Sequence, residues 1–115
     1  MRFPRYPYPP AGTAVPVSAL HSEGSLGIGE FLDLIPFGGW CKKCSLDVIQ
    51  ILPVNDTGFQ ESPYSALSAF ALNPVYIRLT EIPGAEEYAG EIRGFSRDSQ
   101  GAGRVDYRGA RDFKL

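Results

Sequence analysis

The densest collection of hydrogen-bonding side chains lies in Leu52-Pro-Val-Asn-Asp-Thr-Gly-Phe-Gln-Glu-Ser-Pro-Tyr-Ser65. It offers amides at Asn55 and Gln60, carboxylates at Asp56 and Glu61, hydroxyls at Thr57, Ser62 and Ser65, and rings at Phe59 and Tyr64. That mixture suits a sugar. Rings stack on the apolar face of a pyranose, and short polar side chains take its hydroxyls. The same residues also read as a solvated loop with a cap. Position favours a site, because the stretch follows an apolar run, Val48-Ile-Gln-Ile-Leu52. Ligand sites of α/β proteins gather at the carboxyl ends of such strands.

Other candidates carry less. Cys41-Lys-Lys-Cys44 has the CxxC spacing of a redox pair or half a zinc site. It falls at the C-terminal end of a helix, where no dipole lowers a thiol pKa, and His21 is the only other soft ligand. Two cysteines on the buried face of that helix is the plainer reading, and no metal ligand set is assigned. His21 alone reads as a structural or exposed histidine. Gly24-Ser-Leu-Gly-Ile-Gly29 lacks the GxGxxG register and reads as a tight loop. Glycosidic chemistry needs two carboxylates about 5 to 9 Å apart. The 13 acids are expected mostly on loops and helix surfaces, with no pair standing out. No catalytic residue is assigned to this chain, and no cofactor is called for.

Composition bounds the rest. A net charge of −2 and a pI near 5.3 leave no basic field for a phosphate backbone, so nucleic acid is not an expected partner. No run reaches the ~20 apolar residues of a membrane helix, and the N-terminus lacks a secretory h-region. A cytoplasmic location is the default expectation, with no membrane partner.

The elements that must position the polar stretch are short. Residues 1–12 are Pro-rich and expected as an extended N-terminal extension. Thr13–Ala19 is a strand candidate interrupted by Pro16, and residues 20–30 a loop. A helix is predicted over Ile35–Cys44, with Asp33 as a possible cap, Pro36 at its first position, and Phe37, Trp40, Cys41 and Cys44 on one face. Val48–Leu52 fits a strand buried on both faces, completing a βαβ unit with a right-handed crossover. Residues 55–73 form a loop with a small amphipathic segment, Tyr64–Ala71, and Val75–Leu79 is a third strand candidate. Ala85–Arg93 is predicted helical, residues 94–103 polar and mobile, and Asp106–Leu115 helical without a stop signal, as if cut in mid-helix. Open parallel edges predict poor autonomous folding.

Three blocks bring a resemblance. Leu26-Gly-Ile-Gly-Glu-Phe31, Val48-Ile-Gln-Ile-Leu-Pro-Val-Asn-Asp-Thr57 and Ser62-Pro-Tyr-Ser-Ala-Leu-Ser-Ala-Phe-Ala-Leu-Asn-Pro74, followed by Gly103-Arg-Val-Asp-Tyr107, resemble consecutive N-terminal motifs of the amylomaltases, or disproportionating 4-alpha-glucanotransferases. The resemblance covers roughly residues 13 to 115. It implies the first two strands and intervening helix of a (β/α)8 TIM barrel, with part of an inserted subdomain. It implies transfer of α-1,4-glucan segments between maltooligosaccharides by a retaining double displacement, whose Asp nucleophile and Glu acid/base lie beyond Leu115 in family order. The implied partners are α-1,4-glucans and the rest of the parent barrel. Ser62 and Tyr64 match the SPY motif that lines the donor side of the cleft. Asn55 and Asp56 match the LPxND variant and shape the loop. Phe59 stands near an accessory sugar position of some members. Gly38-Gly39 and Ser45 depart from the family: bulkier residues are expected at the first pair and a glycine cap at the last. A non-catalytic carbohydrate-binding piece and a small CxxC redox or metal module are the competing readings.

Overall fold

Gly12–Val15 forms β1, and Val48–Ile51 forms β2, in the computed structural model, which describes residues 7–100 and 103–115. The strands pair in parallel, with Gly12 opposite Val48 and Val15 opposite Ile51. A side chain at Gly12 would run into the Val48 carbonyl, so only glycine allows the pair to close there. Asp47 secures the entry to β2: its carboxylate accepts from the Ala11 amide at 3.2 Å and the Tyr8 hydroxyl at 3.3 Å. Residues 1–6 of the expected extension lie outside the described residues.

β1 is shorter than expected. Pro16 ends it, and Val17–Ala19 turns into a 3-10 helix. Residues 20–30 form a loop, as predicted, but a buried one from Ser25 to Glu30. Its glycines permit that burial: Gly27 has φ +73°, and a side chain at Gly29 would overlap the Val17 carbonyl.

A 3-10 turn, Phe31–Asp33, leads into α1, Leu34–Lys43. Pro36 is therefore the third helical residue rather than the first; its missing N–H is still one the first turn leaves unpaired. The helix ends in a Schellman motif: Leu46 N–H bonds to Cys41 O at 2.9 Å and Ser45 N–H to Lys42 O at 3.1 Å. Ser45 takes the left-handed φ of +57° that this motif demands, at the position where glycine was expected.

β2 is not buried on both faces. Val48 and Ile49 are half-buried, and Gln50 and Ile51 are exposed. Among the described residues β2 pairs only with β1. The predicted face of α1 is likewise open: Cys41 is buried, while Trp40 and Cys44 are exposed.

The third strand does not form. Asn73 Oδ1 accepts from the Val75 amide at 3.1 Å, and Pro74–Tyr76 winds into a 3-10 turn. A local side-chain acceptor and a proline divert the backbone from a ladder. A 3-10 turn, Ala85–Tyr88, runs into α2, Ala89–Gln100. Residues 94–100, expected mobile, are thus the second half of α2, held by Ile92 in the interior and by Phe95 stacked on Phe113 at 4.2 Å. Residues 101 and 102 of that expected mobile segment lie outside the described residues. α3 is Tyr107–Lys114, capped by Asp106, whose carboxylate accepts from the Gly109 amide at 3.0 Å.

The core sits away from the sheet. Val17, Ile28, Val75, Tyr76, Tyr107 and Ala110 form it, with Phe31, Leu34, Val54 and Phe95 packed around. It joins the glycine loop, the turn after Asn73 and α3. The radius of gyration is 16.0 Å, against about 13 Å for a compact chain of this length.

Candidate functional site

The polar stretch emerges where predicted, after the carboxyl end of β2. Asn55 makes an antiparallel bridge to Leu72, the Asp56 amide donates to Ala71 O at 2.9 Å, and Leu67 N–H donates to Asp56 O at 2.8 Å. The loop is therefore pinned across its base. Asp56 Oδ1 accepts from Gly58 N–H at 2.9 Å, an Asx turn, and Gly58 has φ +57°. The Asp56 side chain thus holds the turn that precedes Phe59.

From this base the rings project outward. Phe59 is 81% exposed, Tyr64 71% and Phe70 94%. Ser62 anchors the turn under Tyr64: its carbonyl accepts from Ser65 N–H at 3.1 Å, and its hydroxyl from the Tyr64 amide at 3.4 Å. Three large rings thus stand exposed on a pinned backbone.

The contacts of this loop with α3 escape sequence reasoning. The Arg111 guanidinium lies over the Phe59 ring, 4.1 Å from its centre, a cation–π contact from α3. Phe59, Tyr107, Arg108, Arg111 and Asp112 line a concavity of about 270 Å³. Thr57 is buried, with its hydroxyl donating to Gln60 O at 2.6 Å and within 3.3 Å of the Tyr107 hydroxyl. Only folding brings α3 to the turn, some fifty residues away, so no local spacing marks these partners.

The acids contain a larger surprise. Glu30, from the expected loop, and Asp33, expected as a possible cap, are both buried. Glu30 accepts from Leu26 N–H at 3.2 Å, from Arg78 Nε at 2.7 Å and from Lys114 Nζ. Asp33 accepts from the Ser22 and Ser25 hydroxyls at 2.6 and 2.7 Å, from Glu30 N–H at 2.7 Å and from Arg78. Asp33 does not cap α1 with its side chain; these donors claim it. Lys114 Nζ also donates to Val75 O at 2.8 Å and Ile77 O at 3.1 Å. Burial alone would raise the Asp33 pKa, but the hydrogen bonds from Ser22, Ser25, the Glu30 amide and Arg78 hold it below the ordinary carboxylate value. Burial pushes the Lys114 pKa down, against the pull of Glu30. Every carboxylate oxygen already has donors, and the cations are committed. This is a structural ion cluster, not an acid and nucleophile waiting for a glycoside.

Among the described residues no group of three His, Cys, Asp or Glu side chains is placed to hold a metal ion. Cys41 and Cys44 are both free thiols, one buried and one exposed. No described helix is long and apolar enough to cross a membrane.

Fold and site together define an α/β segment that presents hydroxyls, amides and rings beyond the carboxyl end of a parallel strand. Comparison narrows that class. A family model described as 4-alpha-glucanotransferase matches residues 15–115. The chain belongs to that family. It is 49% identical over 81 residues to a 4-alpha-glucanotransferase of Chlamydia caviae, covering 70% of this chain and 15% of that protein. It is 48% identical over 79 residues to one of Chlamydia trachomatis, again 15% of its length. It is also 40% identical over 84 residues to 4-alpha-glucanotransferase DPE2 of Oryza sativa subsp. japonica, 9% of its length. The chain thus spans about a seventh of the bacterial relatives it matches.

Proposed function

We propose that this chain is the donor-side wall of a 4-alpha-glucanotransferase that moves α-1,4-glucan segments between maltooligosaccharides. β1, α1 and β2 are its first barrel strands and intervening helix, with residues 13–115 belonging to the catalytic barrel and its inserted subdomain. The observation that carries this reading is the pinned loop that holds Tyr64 and Phe59 open beside Ser62. Tyr64 stacks on or abuts a glucose near the cleavage point, and Ser62 hydrogen-bonds a sugar hydroxyl. Asn55 and Asp56 set the loop beneath them. Phe59 offers its ring to an accessory sugar. Ile35, Trp40 and Ile51, exposed apolar side chains, are the surface the rest of the barrel covers.

The chemistry is a retaining double displacement, with a carboxylate nucleophile and a carboxylic acid supplied by the remainder of the polypeptide. The buried acids here are saturated by donors and do not substitute for them. The 115 residues alone, incubated with maltotriose, therefore yield neither glucose nor longer glucans. Turnover by that chain would overturn the placement of the acids. In the full polypeptide Tyr64→Ala lowers kcat/KM for maltotriose by about tenfold or more, the range of a lost aromatic contact. An unchanged kcat/KM would remove Tyr64 from the site. A purely carbohydrate-binding role would leave the full polypeptide able to bind maltotriose without transferring it.

A further inference from the structure

The hydroxyl of Tyr107 joins the buried face of α3 to the turn carrying Phe59. Its donors and acceptors can be ordered. Asn73 Oδ1 is occupied by the Val75 amide, so the Asn73 side chain is fixed, and its Nδ2 donates to Tyr107 Oη at 2.6 Å. The Thr57 hydroxyl hydrogen goes to Gln60 O at 2.6 Å. Tyr107 must then supply the hydrogen of the 3.3 Å contact with Thr57 Oγ1. The chain runs one way: Asn73 to Tyr107 to Thr57 to Gln60. Asn73, Thr57 and Tyr107 are all buried. Such a chain polarises along its length and fixes the groups at its end. Its end is the Thr57–Gln60 turn, closed also by Gln60 N–H to Thr57 O at 3.1 Å. Phe59 lies inside that turn, with Arg111, one turn of α3 beyond Tyr107, over its ring.

We infer that Tyr107 is a positioning residue for glucan binding: through Thr57 it sets the turn that presents Phe59. It touches no substrate. The inference rests on the reading of Phe59 as a sugar-stacking ring. It assigns α3 a part in substrate affinity, beyond its part in the core.

The test uses the full polypeptide with maltotriose, measuring KM, kcat and Tm together. Tyr107→Phe keeps the ring in the core and removes only the hydroxyl. It is expected to raise KM about fivefold, the worth of one hydrogen bond, with kcat changed less than about twofold. Thr57→Val acts in the same direction and leaves the Asn73–Tyr107 bond in place, so it serves if Tyr107→Phe folds poorly. Thr57→Ser restores KM. In a Phe59→Ala background Tyr107→Phe adds nothing further to KM, because its effect passes through that ring. If Phe59→Ala raises KM while Tyr107→Phe and Thr57→Val lower only Tm, the positioning role is wrong and the sugar reading of Phe59 stands. If Phe59→Ala leaves KM unchanged, the reading beneath the inference fails, and the inference with it.

Discussion

Two regions of this chain fold on different terms. The βαβ part places one residue of α1, Cys41, in the interior and leaves Ile35, Trp40 and Ile51 exposed. The region built from the glycine loop, the turn after Asn73 and α3 has little regular structure, yet holds the apolar core and a saturated cluster of buried charges. The regular elements are the unfinished half, and the loops are the finished half. Hydrogen-bonded ladders do not stabilise a sheet by themselves; burial of its faces does. Loops can be buried when their polar groups find partners, and here Leu26 N–H, Glu30 N–H and two serine hydroxyls find carboxylates.

The strongest way to break the contrast is to unbalance the buried charges. Lys114→Met in the full polypeptide leaves Glu30 with the Leu26 amide and the Arg78 guanidinium, and two carbonyls without their ammonium donor. Removing one partner of a buried ion pair costs about 3–5 kcal/mol. A chemical-denaturation midpoint shifted by less than about 1 kcal/mol would show that the cluster is open to water.

Acid attacks the same cluster. Asp33 is held below its ordinary pKa in the folded state. Its contribution is therefore complete above the unfolded carboxylate range, near pH 4, and lost as pH falls through the lower folded value. Asp33→Asn should flatten the acid limb of the stability–pH curve. An identical acid limb in wild type and variant would place the titrating group elsewhere.

The same contrast explains what could be read from the residues. The βαβ order, the loop after β2 and the helix ending near Cys44 were legible, because apolar runs, proline and glycine act locally. The missing third strand was not. Val75-Tyr-Ile-Arg-Leu79 has strand composition, and only the Asn73 side chain and Pro74 just before it redirect the backbone. The charge cluster was illegible for a different reason. Its members sit at positions 30, 33, 78 and 114, and no periodicity relates them. The contacts of α3 with the Phe59 turn were hidden in the same way, while Ser62, Tyr64 and Phe59 stood out through their own chemistry.

A smaller effect tests the end of α1. Ser45 holds a left-handed conformation that costs a non-glycine residue about 1–2 kcal/mol. The Schellman bonds to Cys41 and Lys42 keep it there. Ser45→Gly should raise stability by about 1 kcal/mol, read as a higher denaturation midpoint. No gain would mean that the Ser45 side chain makes a compensating contact in the full polypeptide.

The smallest effect sharpens the comparison most. Gly39 lies inside α1, exposed, and a methyl group there would meet nothing within 4 Å. On helix propensity alone Gly39→Ala adds about 0.5–1 kcal/mol. That gain requires the surface of α1 at Gly39 to remain open. If the rest of the polypeptide packs closely there, the methyl group overfills the contact and the sign reverses. Gly38 is the internal reference, since a methyl group there would meet only Ile49 Cδ1 at 4.0 Å. A gain at both positions leaves this face of α1 to solvent and confines the proposed covering contact to Ile35, Trp40 and Ile51. A loss at Gly39 alone draws the covering surface across the helix. The glycine pair would then be a fitted approach between backbones rather than a weakness in the helix.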